Sequence, residues 1–389
     1  MAMRPLPGAH PKIRDVAARA RVSPGTVSNV LTGRRRVDAA LARRVRDAVK
    51  ELGYVRHAAA SQLRSRRTTV IGAVVPDLPD SFCATFVGRV EELARADGYR
   101  TLVAGSGEDP DEELAQVQAL AAWRPAGVLI IPTDDRFRGG QFLAAAGIPV
   151  VAVDRVRDGM PVDAIGIDNA AEAGRAAAHL AELGHKRVLV VASSLALHNI
   201  CERAAGARAA LEGRATVEVV GGGESEMHAA ALTEVVLKRL GRRPLPTAVL
   251  ALTNQATLGA VQALQRRGLV IPRDVSLVGF DDNEWMQVML PGISAVRQPV
   301  EALASKAWAR LVARMHGDAA PPVHLRLSGS LEMRNSSGAP AELSGGGGPP
   351  PPPGRRPPRG ALRGGMRSRG RPGRSGMRLQ RSGRLGYYS

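Results

Sequence analysis

Val22-Ser23-Pro24-Gly25-Thr26-Val27-Ser28-Asn29-Val30-Leu31 is the stretch on which the reading turns. Ser23 followed by Pro24 is a helix N-cap with proline at the first helical position. Val27, Val30 and Leu31 then recur at the spacing of one helix face. Upstream, Ile13, Val16, Ala17 and Ala20 fall at i, i+3, i+4 and i+7, which predicts a first short helix. Arg21-Val22-Ser23 forms the tight turn between the two. Downstream, Asp38 is placed to cap a third helix, with Leu41, Val45, Val49 and Leu52 inward and Gly53 closing it. Such a trio makes a helix-turn-helix, whose second helix lies in the major groove and meets base edges with its first residues.

Charge points the same way. Residues 1–67 carry 16 Lys and Arg against 4 Asp and Glu, a net of +12, whereas residues 68–340 net −4. A basic head on a slightly acidic body is the footprint of a polyanion-binding module attached to a domain with another task. The 389 residues are too many for one ordinary domain, and the 44% apolar content is enough for a large core. The longest apolar runs, such as Val188–Ala192, fall far short of a membrane span. No charged segment followed by an apolar one opens the chain, so a cytoplasmic, nucleoid-associated protein is expected. Two cysteines, Cys83 and Cys201, rule out a disulfide scaffold and a cysteine-rich zinc site. Cys201 is expected to be a buried small hydrophobe. His179, His185 and His198 lack metal-ligand spacing, and no cofactor is expected. Dinucleotide, P-loop and nucleophile-elbow signatures are missing, and the Gly105-Ser106-Gly107 turn leads into an acidic stretch that would repel phosphate. An enzyme is therefore not expected.

From Thr68 onward, short Val/Ile-rich runs alternate with helical stretches. Val70–Val75, Thr101–Ala104, Val128–Ile131, Val150–Val153, Val188–Ala192, Val217–Val220, Ala248–Leu252 and Ser276–Phe280 read as buried parallel strands. That alternation means α/β with parallel sheet, and nine or so strands fit two sheets of similar design better than one. Ligands of open α/β sheets bind beyond the carboxyl ends of the strands. Asp154, Thr253-Asn254 and Asp281-Asp282 lie at such ends, Arg203 is expected to open a helix, and Gln298 lies at a crossover between the halves.

The head resembles that of the LacI/GalR family of bacterial transcription regulators. The resemblance rests on Ile13-Arg14-Asp15-Val16-Ala17, on Val22–Leu31 and on Glu51-Leu52-Gly53-Tyr54. It continues through Ala60-Ser61-Gln62-Leu63-Arg64, Ile71–Asp77 and Asp274–Asp282, and so spans roughly residues 12–335. It implies an all-α helix-turn-helix head, a two-lobed α/β core like a periplasmic binding protein, and a ligand cleft between the lobes. By position, Pro24, Gly25 and Asn29 would read bases, and Ser23, Thr26 and Ser28 would touch phosphates. Pro24 and Gly25 offer shape or a methyl contact only, whereas Asn29 can pair bidentately with adenine. Arg21 occupies a turn position where relatives often carry glycine or asparagine. The resemblance also implies a hinge helix that folds on DNA, with His57 near its start, Ala60 beside the duplex and Leu63 wedged into the minor groove. For the effector pocket it implies Asp154, Arg203, Thr253, Asp281 and Gln298, with Phe82, Cys83 and Trp285 as apolar walls. Asp168-Asn169 also matches a family motif but reads as a helix cap.

The expected organisation follows. Residues 1–11 are a flexible start, 12–55 the helix-turn-helix and 56–67 the hinge. Residues 68–340 form the effector and dimerisation core, with lobe 1 about 68–166 and 299–327 and lobe 2 about 167–298 and 328–340. Residues 341–389 hold 13 Gly, 8 Pro and 11 Arg against one acidic residue, a composition expected to stay disordered. The function expected is a repressor acting as a homodimer on near-palindromic double-stranded DNA, controlled by a small molecule, a sugar or sugar derivative. A purine-type corepressor and a solute-binding protein without DNA function are the alternatives.

Overall fold

Apolar residues at helical spacing build the head. The computed structural model describes residues 11–32, 35–54, 68–222 and 228–341. Helices α1 (Ile13–Ala20), α2 (Pro24–Thr32) and α3 (Ala39–Leu52) bury Val16, Ala17, Ala20, Val27, Val45 and Ala48 against one another. Asp38 caps α3, accepting from the Ala40 and Leu41 amides. Gly53 ends it with φ 60°, a left-handed conformation glycine adopts without strain. The face turned fully inward is Ala42, Val45 and Ala48, so the expected Leu41, Val49 and Leu52 are only half-buried. Arg21 closes α1 with φ 52°, a conformation that strains a side chain with a Cβ. Arg44 on α3 holds this turn by donating to the carbonyls of Ala20 and Arg21.

The core contains two six-stranded sheets of the same design. In the first, β1 (Val70–Val75), β2 (Arg100–Gly105), β3 (Val128–Ile130), β4 (Val150–Val153), β5 (Asp163–Ile167) and β11 (His324–Leu327) stand in the order β11-β5-β4-β3-β1-β2. In the second, β6 (Arg187–Ser194), β7 (Thr216–Gly222), β8 (Ala248–Ala251), β9 (Ser276–Phe280), β10 (Ser294–Arg297) and β12 (Ser330–Glu332) stand as β12-β10-β9-β8-β6-β7. Every neighbouring pair is parallel except β10 with β12. The helices are α4 (Ser81–Ala96), α5 (Pro110–Ala122), α6 (Arg138–Ala145), α7 (Asn169–Glu182), α8 (His198–Leu211), α9 (Ala229–Leu240), α10 (Asn254–Arg266), α11 (Glu284–Val288) and α12 (Val300–Met315). The chain crosses between the sheets after β5, after β10 and between β11 and β12.

β2 and β7 are not the buried strands their Val-rich sequences predict. They lie at sheet edges and are half-exposed, since an edge strand has a neighbour on one side only. β5, β10, β11 and β12 are additional to the strands expected. They are short and carry Asp, Gly, Ser or Arg, which depress strand propensity.

α7 and α8 approach closely. A Cβ on Gly206 would stand 2.0 Å from the Ala170 carbonyl oxygen, so this crossing requires glycine. The segment after β12 straps lobe 2. Ser336 bonds β9 and β10 through Leu277 and Ser294, while His185 reaches the Gly338 carbonyl and His179 meets Ser337. These two imidazoles are therefore packing groups, and burial pushes both below the usual histidine range. The hinge expected over 56–67 and, except for Ala341, the tail expected over 341–389 lie outside the described residues.

Candidate functional site

At the start of α2, Ser23, Pro24 and Gly25 are exposed, while Thr26, Ser28 and Asn29 are half-buried. Ser23 Oγ accepts from the Thr26 amide at 3.1 Å and lies 3.0 Å from Thr26 Oγ1. That cap leaves the first turn of α2 as an outward-facing edge. His57, Ala60 and Leu63 lie outside the described residues.

The second site lies where the strand ends of the two sheets face each other. Phe82, Cys83, Asp154, Arg203, Thr253, Asp281 and Gln298 all line one cleft there. Trp285 does not. Its ring packs on the lobe 2 core, and its indole N–H donates to Asn254 Oδ1 at 2.9 Å. Thr253 caps α10 by accepting from the Ala256 amide.

Asp154 and Asp281 follow β4 and β9, which hold the same place in their sheets. Both take left-handed backbone, with φ 62° and 61°. Such strain in non-glycine residues clusters at functional sites and turns a side chain sharply off the strand end. Asp281 accepts from Gln298 Nε2 at 2.7 Å and from the Asn254 amide at 3.3 Å, and Arg203 Nη1 stands 3.8 Å away. Asp154 is 7% exposed, yet its Oδ1 has no partner among the described residues, and neither has Gln298 Oε1. Burial pushes the Asp154 carboxyl up, opposed by Arg203 and Arg155.

Arg203 is the largest fully buried side chain of the described residues. It sits in the body of α8, not at its opening as expected, because the loop after β6 is shorter than the sequence implied. Its Nε donates to Asn169 Oδ1, its Nη1 to the Leu252 carbonyl, and its guanidinium stacks 3.8 Å from the Phe280 ring centroid. Asn169 is thus more than the cap its motif suggested: Asp168 caps α7, while Asn169 orients Arg203 and donates to Glu202. Cys201 is exposed rather than buried, one position off the inward stripe of Ile200, Arg203, Ala204 and Ala207.

Several lining residues were not anticipated. Asp77 follows β1 and Glu108 follows β2, so the strand-end rule applied to every strand would have found them. Arg155, next to Asp154, holds Glu108 bidentately with both bonds at 2.6 Å. Asp80 caps α4, and its carboxyl is pushed up to about 6, chiefly by burial and then by Asp281 across the cleft. Burial and Glu108 raise Asp77, and burial raises the Cys83 thiol. Asn283 Nδ2 donates to Ser81 Oγ at 2.8 Å, a bond from the lobe 2 strand end to the first residue of α4. No group of three or more His, Cys, Asp or Glu that could hold a metal occurs among the described residues.

Known proteins are similar to this chain over most of its length. The transcriptional regulator PtxS of Pseudomonas plecoglossicida is 30% identical over 327 residues, covering 84% of this chain and 95% of its own length. The chain belongs to the lacI family of bacterial regulatory proteins. Residues 12–57 match the family model of that description, and residues 177–337 match that of the periplasmic binding protein-like domain. The lac repressor dimer bound to operator and the anti-inducer ONPF is similar at a TM-score of 0.75 and 26% identity, covering 85% of this chain and all of that one. A complex of the transcriptional regulator CelR with cellobiose is similar at 0.64 and 29%, covering 84% and 100%. As a lacI-family member, the chain is a DNA-binding transcriptional regulator with an effector-binding core. No helix among the described residues is long and apolar enough to cross a membrane.

Proposed function

We propose that this regulator is a cytoplasmic, nucleoid-bound repressor. Two copies grip a near-palindromic operator and release it when a hydroxyl-rich small molecule, a sugar, fills the cleft. The observation that carries the ligand reading is the pair of buried, unpartnered acceptors, Asp154 Oδ1 and Gln298 Oε1, in a cleft whose floor Arg203 holds rigid. Vicinal hydroxyls donate to and accept from such groups, and Phe82, Ile131 and Leu197 offer apolar surface to the carbon faces of a ring. The operator-bound lac repressor and the cellobiose-bound CelR support both halves of the proposal.

In this scheme Ser23, Thr26 and Ser28 position α2 on phosphates, and Asn29 reads adenine. Pro24 and Gly25 add only shape, so phosphate contacts supply much of the affinity. His57, Ala60 and Leu63 form the hinge contact with the minor groove, and the half-sites lie roughly 10 bp apart. The ligand is released unchanged, in keeping with relatives that are regulators. Effector and operator must weaken each other's binding by the same factor.

Selection from random duplex DNA tests the reading. The full chain should enrich one near-palindrome, and Leu63→Ser should bind it far more weakly while keeping its ligand-induced thermal shift. Enrichment of no sequence, with or without sugars present, would remove the repressor reading.

A further inference from the structure

Carboxylates outnumber cations in the cleft. Asp77, Asp80, Glu108, Asp154 and Asp281 line it, against two guanidiniums, Arg155 and Arg203. Both guanidiniums are already engaged. Arg155 is held by Glu108 through two bonds of 2.6 Å. Arg203 is held by Asn169, the Leu252 carbonyl and the Phe280 ring, with Asp281 at 3.8 Å. The guanidinium just outside, Arg297, is tied to Asp282 at 2.6 Å. His228 is the other basic group of the lining, and it sits at the exposed rim. A carboxylate or phosphate entering this cleft would meet no unpaired arginine among the described lining residues. It would also face uncompensated negative charge in a partly dehydrated space, where like charges repel most strongly.

The unpartnered atoms give the complementary half. Asp154 is 7% exposed and Gln298 6%, and the orphaned atom of each is an acceptor. A buried acceptor without a partner carries a desolvation cost that a donor relieves, and a charged donor relieves most when the acceptor is a carboxylate. Asp80 reaches the cleft from the start of α4 and Asp281 from the end of β9, so acidic groups of both lobes face the same space.

We propose that the cleft selects a polyhydroxylated ligand bearing an ammonium group, an amino sugar or aminocyclitol, and rejects sugar acids and sugar phosphates. The ammonium belongs among Asp80, Asp154 and Asp281, where it supplies N–H donors and offsets the charge of both lobes. The hydroxyls serve Gln298 Oε1 and the amides of Asn199 and Asn254, which also line the cleft. This inference rests on the reading of the cleft as the effector site.

The test uses the full chain and a panel of matched sets in the gluco, galacto and manno series. Each set contains the hexose, its 2-amino-2-deoxy form, the N-acetyl form, the uronic acid and the 6-phosphate. Thermal shift and operator release are read at pH 7.5. At least one free amine should raise Tm and release operator, with affinity ten-fold or more above that of its hexose and N-acetyl counterparts and falling as salt rises. Asp154→Asn should erase the preference for the amine. An acid or phosphate that binds as tightly as its amine overturns the proposal but leaves the effector site intact, as does a hexose equal to its amine. If no member of the panel binds, the reading of the cleft as a polyol site falls with it.

Discussion

Asp154 and Asp281 occupy equivalent places in two sheets of the same strand order, with the same left-handed backbone, yet their surroundings differ. Asp281 is bonded by Gln298 and the Asn254 amide and is backed by Arg203. Asp154 keeps an unpartnered oxygen, and the nearby Arg155 turns away to Glu108. The aspartate of lobe 2 is thus held on both oxygens, whereas that of lobe 1 keeps an open acceptor, as does Gln298 Oε1 beside it. An unpaired buried acceptor costs about 1–3 kcal/mol. Lobe 1 therefore gives up stability that a donor placed at Asp154 would return.

The comparison breaks most visibly at Arg203. Arg203→Ala removes the guanidinium that lobe 2 contributes to the cleft lining, opens a void beside Phe280 and leaves Asp281 without its buried counter-charge. A loss of about 3–5 kcal/mol is expected, together with loss of any ligand response. Calorimetry showing an unchanged Tm would mean that lobe 2 is not prebuilt.

Paired neutralisations sharpen the contrast. Asp281→Asn should cost about 1–3 kcal/mol without ligand, because Gln298 and Asn254 lose a charged acceptor. Asp154→Asn should leave stability unchanged or slightly raised and erase the amine's advantage in thermal shift over its hexose. Equal losses in urea unfolding of the two variants would erase the proposed difference.

A pH series probes the charge shared across the cleft. Asp80 titrates at about 6 in the fold against an ordinary 3.8, so the folded state holds the proton more tightly than the unfolded chain. Its contribution is fully present below pH 3.8 and is lost as pH rises through 6. Asp80→Asn keeps an N-capping side chain and removes the charge. It should flatten this part of the profile and raise stability at pH 8 by on the order of 3 kcal/mol. A variant whose profile parallels that of the parent between pH 4 and 7 would contradict the crowding. Asp163 and Asp282 behave oppositely. Burial alone would raise each, but bonds from Arg314 and Arg310 on one, and from Arg334 and Arg297 on the other, hold both below 3.8. Their stabilisation is present above pH 3.8 and fades as pH falls through their lower folded values.

The smallest effect is expected in the head. Arg21→Gly relieves the left-handed strain but frees the unfolded chain, so a gain of about 0.5–1 kcal/mol is expected from thermal melts of the full chain. A loss would show that the arginine side chain itself braces the turn.

Much of this molecule could be read from residues close in sequence. The helices of the head follow from apolar spacing and from Ser23, Asp38 and Gly53, because caps and faces act within a turn or two. The Val-rich strands of both sheets were legible for the same reason. The short strands β5 and β10 were not, because their few polar residues are made strand-like by neighbours on both sides. The general preference of a free cysteine for the interior predicts a buried Cys201, but the register of its helix turns it outward, and register is fixed by what the inward stripe packs against.

By itself, then, the sequence determined the division into a basic helical head and an α/β core. It also determined the placement of Asp154, Asp281 and Thr253 at strand ends, where ligands of such sheets bind. Only the tertiary structure decided which of those polar groups are satisfied. Arg203 meets Leu252 and Phe280, Asp281 meets Asn254 and Gln298, and Trp285 turns to Asn254 instead of the cleft. These partners lie on separate elements of the chain, and the charge on a buried group depends on what the closed fold sets against it.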